Sequence, residues 1–220
     1  MKNETVKSII DEKLIVIIRA VEREKLLPLA KALYDGGIRL LELTFSADGR
    51  ISDEEIAAGI AMLAKEFDGR IKIGAGTVLN CRQVELAEAA GAKYIISPDT
   101  NAQVIARTVE LGMVSIPGAL TPTEIQAAHV AGADFVKLFP VTSFGAEYVK
   151  AVGAPLSHVK LLAVGGIDES NMADYYAAGA CGFGVGGCII NKKMIAKGDF
   201  EGITALAKKY TEEIASWKNI

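Results

Sequence analysis

The chain repeats one unit eight times: a short, apolar, β-rich run, then a longer stretch of helical period, usually closed by a glycine before the next run. The runs are Leu14–Arg19, Arg39–Thr44, Ile71–Ala75, Tyr94–Ser97, Val114–Pro117, Phe135–Phe139, Lys160–Val164 and Cys181–Val185. Helical stretches fall between them at Glu24–Tyr34, Asp53–Phe67, Cys81–Ala90, Asn101–Leu111, Thr123–Ala131, Ala146–Val152 and Glu169–Ala178, with Phe200–Trp217 after the last run. Gly36, Gly69, Gly91, Gly112, Gly132 and Gly179 each precede a strand, where a left-handed helix C-cap is expected. Eight strand–helix units are the count of a closed (β/α)8 TIM barrel, an α/β fold. An open doubly wound sheet competes, but it usually has fewer strands and a glycine-rich fingerprint after the first, which is missing here. With 220 residues, 50% of them hydrophobic, and no linker or low-complexity segment, the expectation is a single domain over residues 1–220.

Strand alternation gives the polar residues a direction. In Arg39–Phe45, Leu41, Leu43 and Phe45 should face the helices, while Leu40, Glu42 and Thr44 face inward. The same parity sends Val136 and Leu138 outward and turns Lys137 inward with Phe135 and Phe139; Ile18 outward turns Arg19 inward. Burying an ammonium is expensive, so an inward Lys137 must be paired, or neutral and put to work. A partly neutral lysine in an apolar pocket is a nucleophile for a carbonyl carbon, forming a Schiff base. Two blander readings stand beside this one. The lysine stem packs along the strand while its head reaches water, or Glu42, Lys137 and Arg19 form a buried ion network that only holds the barrel together. Buried ion pairs are a weak source of stability, and barrel enzymes keep their chemistry at the carboxyl ends of the strands, so the catalytic reading is favoured. Arg39, Lys72, Lys93 and Lys160 lie at strand N-termini, where charge serves solvation.

The segments after the last two runs, Ala163-Val-Gly-Gly-Ile167 and Phe183-Gly-Val-Gly-Gly-Cys188, are rich in glycine. Loops in these positions form the usual phosphate site of such barrels, from bare backbone N–H groups and a helix N-terminus, here expected near Asp168. Glycine pairs also simply make tight turns. A net charge of −3 leaves no electrostatic footprint for nucleic acid. No apolar run reaches the length of a membrane span, and the first residues lack the basic and apolar regions of a signal peptide, so a cytoplasmic protein is expected. Three cysteines without CxxC spacing and two histidines rule out a histidine-based metal cluster, though not a carboxylate site for Mg²⁺.

Several short motifs then fall into register: Arg19, Leu41-Glu-Leu-Thr44, Gly74-Ala-Gly-Thr-Val78, Ile96-Ser-Pro98, Pro117-Gly118 with Thr121-Pro-Thr-Glu124, Val136-Lys-Leu-Phe-Pro140 and Gly165-Gly166. In order and spacing the chain resembles, from about Ile9 to Ile190, the aldolases of 2-keto-3-deoxy-6-phosphogluconate (KDPG) and 4-hydroxy-2-oxoglutarate (KHG). The resemblance implies a class I, Schiff-base aldolase on a (β/α)8 barrel, usually a homotrimer, that works on a small-molecule 2-keto acid without metal or other cofactor. It implies Lys137 as the Schiff-base lysine and Glu42 as the general acid/base. It further implies that Arg19, Thr44 and Thr77 bind polar groups of the substrate and that Pro98 and Phe139 shape the pocket, while the loop positions make Gly165, Gly166, Gly186 and Gly187 the expected holders of a distal phosphate. The products would be pyruvate with glyceraldehyde 3-phosphate or glyoxylate.

The chain departs from the family pattern at three places. Ser46 stands where some members carry arginine, Ala163-Val164 where many read Pro-Thr, and Gly187 where serine is common. These departures leave open another 2-keto-3-deoxy sugar acid, such as the galactonate derivative. A sugar-phosphate isomerase or epimerase would use the same glycine loops but has no need of an inward lysine on the sixth strand. A non-catalytic anion-binding barrel is the remaining alternative.

Overall fold

Short apolar runs flanked by amphipathic helices can bury both faces only if the strands lie side by side with the helices packed outside. The computed structural model, which describes residues 2–217, has this arrangement; Met1 and residues 218–220 of the domain expected over 1–220 lie outside the described residues. The elements are α1 (Lys2–Glu12), β1 (Leu14–Ile18), α2 (Arg23–Asp35), β2 (Leu40–Thr44), α3 (Asp53–Glu66), β3 (Lys72–Gly76), α4 (Cys81–Ala89), β4 (Tyr94–Ile96), α5 (Ala102–Glu110), β5 (Val114–Ile116), β6 (Gly118–Ala119), α6 (Pro122–Val130), β7 (Val136–Leu138), α7 (Gly145–Gly153), β8 (Leu161–Val164), α8 (Met172–Ala177), β9 (Gly182–Val185), α9 (Lys192–Lys197) and α10 (Phe200–Ser216).

All strand pairings are parallel, in the order β5-β4-β3-β2-β1-β9-β8-β7-β6. The nine strands make eight staves because the fifth stave is split at Pro117, which has no N–H for the ladder. Its first half pairs with β4 and its second half with β7. The Lys137 amide donates to the Pro117 carbonyl at 2.8 Å, so the seam is closed and the sheet becomes a barrel.

The core separates into two layers with the parity expected from the sequence. Ile15, Leu40, Tyr94, Ile96, Val114, Ile116, Phe135 and Leu162 form the barrel interior. Leu14, Val16, Ile18, Leu41, Leu43, Phe45, Val136 and Leu138 face the helices. Helix α1, for which the sequence reading had no element, adds Ile9 to the interior cluster and contacts β5 and β9 at the N-terminal end of the barrel. Two of the lysines at that end are in ion pairs: Lys72 with Glu4, and Lys2 with Asp134 at 3.1 Å. Two helix starts use capping boxes, Ser52 with Glu55 and Thr121 with Glu124, the second carrying Pro122 in its first turn.

Two local expectations are corrected. Gly69, Gly91, Gly112, Gly132 and Gly179 take positive φ as C-caps should, but Gly36 has φ −80° and Gly37 takes the left-handed turn instead. Gly36 is needed for close approach: a Cβ there would lie 2.5 Å from Ala207 Cβ on α10. That contact joins the last helix to α2, with Thr204 Oγ1 donating to Ala32 O (3.0 Å) and Thr211 Oγ1 to Gly36 O (2.9 Å). Second, the helix expected near Asp168 begins only at Met172. Asp168 Oδ1 accepts the Ser170 amide and hydroxyl, while Asn171 Oδ1 accepts the Asp168 amide; these turns delay the helix.

Gly36→Ala should lower stability by roughly 1–3 kcal/mol through overpacking of α2 against α10. Gly153→Ala, at the end of α7 with nothing within 4 Å of the added methyl, should be neutral or stabilising. Urea unfolding of the two variants checks the pair; equal midpoints would show that α10 yields at no cost.

Candidate active site

Lys137 and Glu42 are brought into one barrel interior by non-neighbouring strands. Lys137 is the central residue of β7, in register with Gly118 and Leu162, and 6% exposed. Glu42 is the central residue of β2, in register with Ile17 and Gly74, and 1% exposed. Burial pushes the Glu42 carboxyl above its ordinary value, against the pull of the Lys137 and Arg19 cations. Burial holds the Lys137 amine below its ordinary value; Glu42 opposes this shift and Arg19 adds to it. The two groups are therefore a coupled pair whose protonation states are set by the absence of water. Glu42 Oε2 and the Thr44 hydroxyl, two residues along on the same inward face, are buried without a hydrogen-bond partner among the described residues. Each therefore keeps an unused hydrogen-bonding position. Lys137 Nζ lies 4.7 Å from the Phe139 ring centroid.

The carboxylate has space only because two neighbours lack side chains. A Cβ at Gly76 would fall 1.7 Å from Glu42 Oε1, and one at Gly74 would fall 2.1 Å from the Tyr94 ring. Tyr94 is fully buried and donates its hydroxyl to Leu41 O at 2.7 Å. It walls the interior beside Glu42, which adds to the burial that keeps the phenol protonated.

Two cavities open at the C-terminal mouth. One, of 460 Å³, is lined by Arg19, Thr44, Ser46, Asp48, Arg50, Thr77 and Lys192 among others. The other, of 390 Å³, is lined by Gly165, Gly166, Gly186 and Gly187, by Phe139, Val164 and Cys188, and again by Arg19 and Lys192. Arg19 lies just past the end of β1 and is exposed at the mouth, one residue beyond the strand in which the sequence reading placed it. Thr77 follows β3 with φ 55°, an uncommon conformation for a β-branched residue. Pro98 is half-buried at the end of β4, and its carbonyl lies 2.4 Å from where a Cβ of Gly118 would sit. It lines neither cavity.

Gly165 and Gly166 adopt φ 101° and 70°. The amides of Gly165, Gly166 and Gly187 donate to no backbone carbonyl among the described residues, leaving them available to an anion. The late start of α8 removes the helix end expected beside them. Sequence reading passed over Arg50 and Lys192. Arg50 sits in a loop with no period, held by Asp48 (Nε–Oδ2 2.6 Å). The signal for Lys192 was Asn191, an N-cap residue ahead of a short helical run.

Such an arrangement can attack a carbonyl with the Lys137 amine, move protons through Glu42 and hold anionic groups at the mouth. A family model described as KDPG and KHG aldolase matches residues 6–206. The chain is 35% identical to the 2-dehydro-3-deoxy-phosphogluconate aldolase of Treponema pallidum, covering 90% of this chain and 91% of the relative. It is 31% identical to the 2-dehydro-3-deoxy-6-phosphogalactonate aldolase of Escherichia coli, covering 91% and 96%. Among solved structures it is similar to native KDPGal (TM-score 0.84, 30% identity, 94% and 96% covered). It is also similar to the KDPG aldolase of Legionella pneumophila with pyruvate captured as a covalent carbinolamine (TM-score 0.82, 28% identity, 92% and 96% covered).

Gly76→Ala should displace the Glu42 carboxylate and reduce turnover by about 10²-fold, the scale of a misplaced reacting group. The fold should persist, because Gly76 has no positive φ to violate. Steady-state rates beside a thermal melt check this; unchanged turnover would mean that Glu42 needs no fixed position.

Proposed function

The chain belongs to the KDPG and KHG aldolase family and is a carbon–carbon lyase, and from this premise we propose that Lys137 is its Schiff-base nucleophile and Glu42 its acid/base. One observation carries the reading: a buried amine and a buried carboxyl, shifted in opposite directions by the same loss of water, with a carboxylate oxygen left unpartnered.

The neutral Lys137 amine adds to the C2 ketone of the substrate, and Glu42 supplies the proton with which the carbinolamine loses water to become an iminium. Glu42, as carboxylate, takes the proton of the C4 hydroxyl directly or through a water. The C3–C4 bond breaks, its electron pair flows into the iminium, and an aldehyde departs. Protonation of the enamine at C3 and hydrolysis then release pyruvate and restore the lysine. Arg19, Thr44 and Thr77 bind the carboxylate and polar groups near the reacting carbon, Phe139 packs against the pyruvoyl end, and Pro98 supports the wall through Gly118. Gly165, Gly166, Gly186 and Gly187 receive a distal phosphate through backbone amides.

The substrate we assign is 2-keto-3-deoxy-6-phosphogluconate and, as the shorter analogue, 4-hydroxy-2-oxoglutarate. The galactonate epimer is a second reading, supported by the 31% identity to the phosphogalactonate enzyme. No helix among the described residues is long and apolar enough to cross a membrane. We place the protein in the cytoplasm on its sequence features, and infer the homotrimer that the family resemblance implies; light scattering tests the assembly.

Incubation with pyruvate and borohydride should add one reduced pyruvyl group to Lys137, found by peptide mass spectrometry, and Lys137→Ala should trap nothing. Label on another lysine would remove the assignment. Trapping should rise with pH through a midpoint below the ordinary lysine value. Glu42→Gln should move that midpoint lower still, because the carboxylate that favours the ammonium is gone, while turnover falls roughly 10²- to 10⁴-fold. An unchanged midpoint would mean that the pair is uncoupled.

The phosphate assignment predicts a higher kcat/KM for the phosphorylated acid than for its unphosphorylated counterpart, with inorganic phosphate competing. Gly187→Ser, where an added Cβ meets nothing within 4 Å, should strengthen that preference. Equal values for the two substrates in the wild type would move the assignment to 4-hydroxy-2-oxoglutarate.

A further inference from the structure

The two cavities at the barrel mouth share two lining side chains, Arg19 and Lys192. Their cations differ in what already holds them. Arg19 acts electrostatically on both Glu42 and Lys137, so its charge belongs to the reacting end. Arg50, in the larger cavity, is paired with Asp48. Lys192 is exposed at the mouth and makes no ion pair or side-chain hydrogen bond among the described residues. Its backbone is nevertheless fixed, because Asn191 Oδ1 accepts the amides of Lys193 (3.0 Å) and Met194 (3.2 Å) and sets the first turn of α9 beside the glycine loop.

The smaller cavity is otherwise almost without charge. Its walls are glycine backbone, the apolar side chains of Ile17, Phe139, Val164, Ile167 and Ile190, and the Cys188 thiol. Backbone amides can orient a phosphoryl group there but leave its net charge in place; a cation is needed to offset it. We propose that Lys192 is the specificity-determining residue of this cavity, a free ammonium that engages the distal phosphoryl group and selects phosphorylated over unphosphorylated 2-keto-3-deoxy acids. The proposal rests on the aldolase reading above. A flexible four-carbon stem carrying a point charge suits this role, since the phosphate is positioned by the glycine amides and needs charge more than geometry from the side chain.

The test compares Lys192→Ala, Lys192→Arg and Lys193→Ala with wild type, using 2-keto-3-deoxy-6-phosphogluconate and its unphosphorylated counterpart. Lys193 is exposed and lines neither cavity. In Lys192→Ala the ratio of the two kcat/KM values should fall about 10-fold, the scale of one charge-assisted contact, with most of the change in KM for the phosphorylated acid. The inhibition constant of inorganic phosphate should rise by a similar factor. Lys192→Arg should restore most of the ratio, Lys193→Ala should leave it at the wild-type value, and added salt should narrow the difference between wild type and Lys192→Ala. An unchanged ratio in Lys192→Ala, or an equal loss on both substrates, would overturn the proposal. Pyruvate trapping on Lys137 is read in parallel. Its absence in the wild type would overturn the aldolase reading itself, whereas normal trapping in Lys192→Ala with an unchanged ratio removes only the role of Lys192.

Discussion

A closed parallel barrel leaves every second residue of each strand in a space that water does not fill, and the rest of this molecule follows from that constraint. Most inward positions are answered with Ile, Leu, Val or Phe. Where a polar group occurs, it needs a partner or a neighbour reduced to glycine: Tyr94 donates to the Leu41 carbonyl, and Gly74 and Gly76 make room for Tyr94 and Glu42. Lys137 and Glu42 are, among the described residues, the buried amine and the buried carboxyl left inside with water withheld. Their shifts in opposite directions come from the same cause, and each limits the shift of the other.

The two ends of the barrel treat charge differently. At the N-terminal end, Lys72 with Glu4 and Lys2 with Asp134 are neutralised pair by pair, and α1 seals the interior with Ile9. At the C-terminal end, Glu42 Oε2 and the Thr44 hydroxyl stay unpartnered, Ala20 and Thr77 hold positive φ, and loop amides at Gly165, Gly166 and Gly187 have no backbone acceptor among the described residues. Unpartnered polar groups beside loop amides without backbone acceptors are what a binding site for a polar substrate requires.

Strand parity was the most legible feature of the chain. Leu40 against Leu41, and Phe135 against Val136, fall in the interior and outer layers as alternation demands, and this places Glu42 and Lys137 without any knowledge of their partners. Capping signals were equally local: Ser52 with Glu55 and Thr121 with Glu124 start helices where their side chains can reach the third amide along. Failures arose where a residue has a second use that its motif does not show, whether distant in the chain or within the next turn. Gly36 reads as a C-cap glycine, yet its purpose is the approach of Ala207; Asp168 reads as a helix start, yet its carboxylate is taken by Ser170.

By itself, then, the sequence determined the repeating strand–helix unit, the direction of each inward side chain and the chemical types available inside, because these depend on contacts between residues close in the chain. Tertiary structure decided how the fifth stave splits at Pro117 so that the barrel can close, which glycine is empty for which neighbour, and which cations converge on the mouth. Lys192 stands beside Arg19 across most of the chain's length only because the ladder between β1 and β9 joins the first strand to the last. Closure of a ring is a property of all its strands together, and no local pattern contains it.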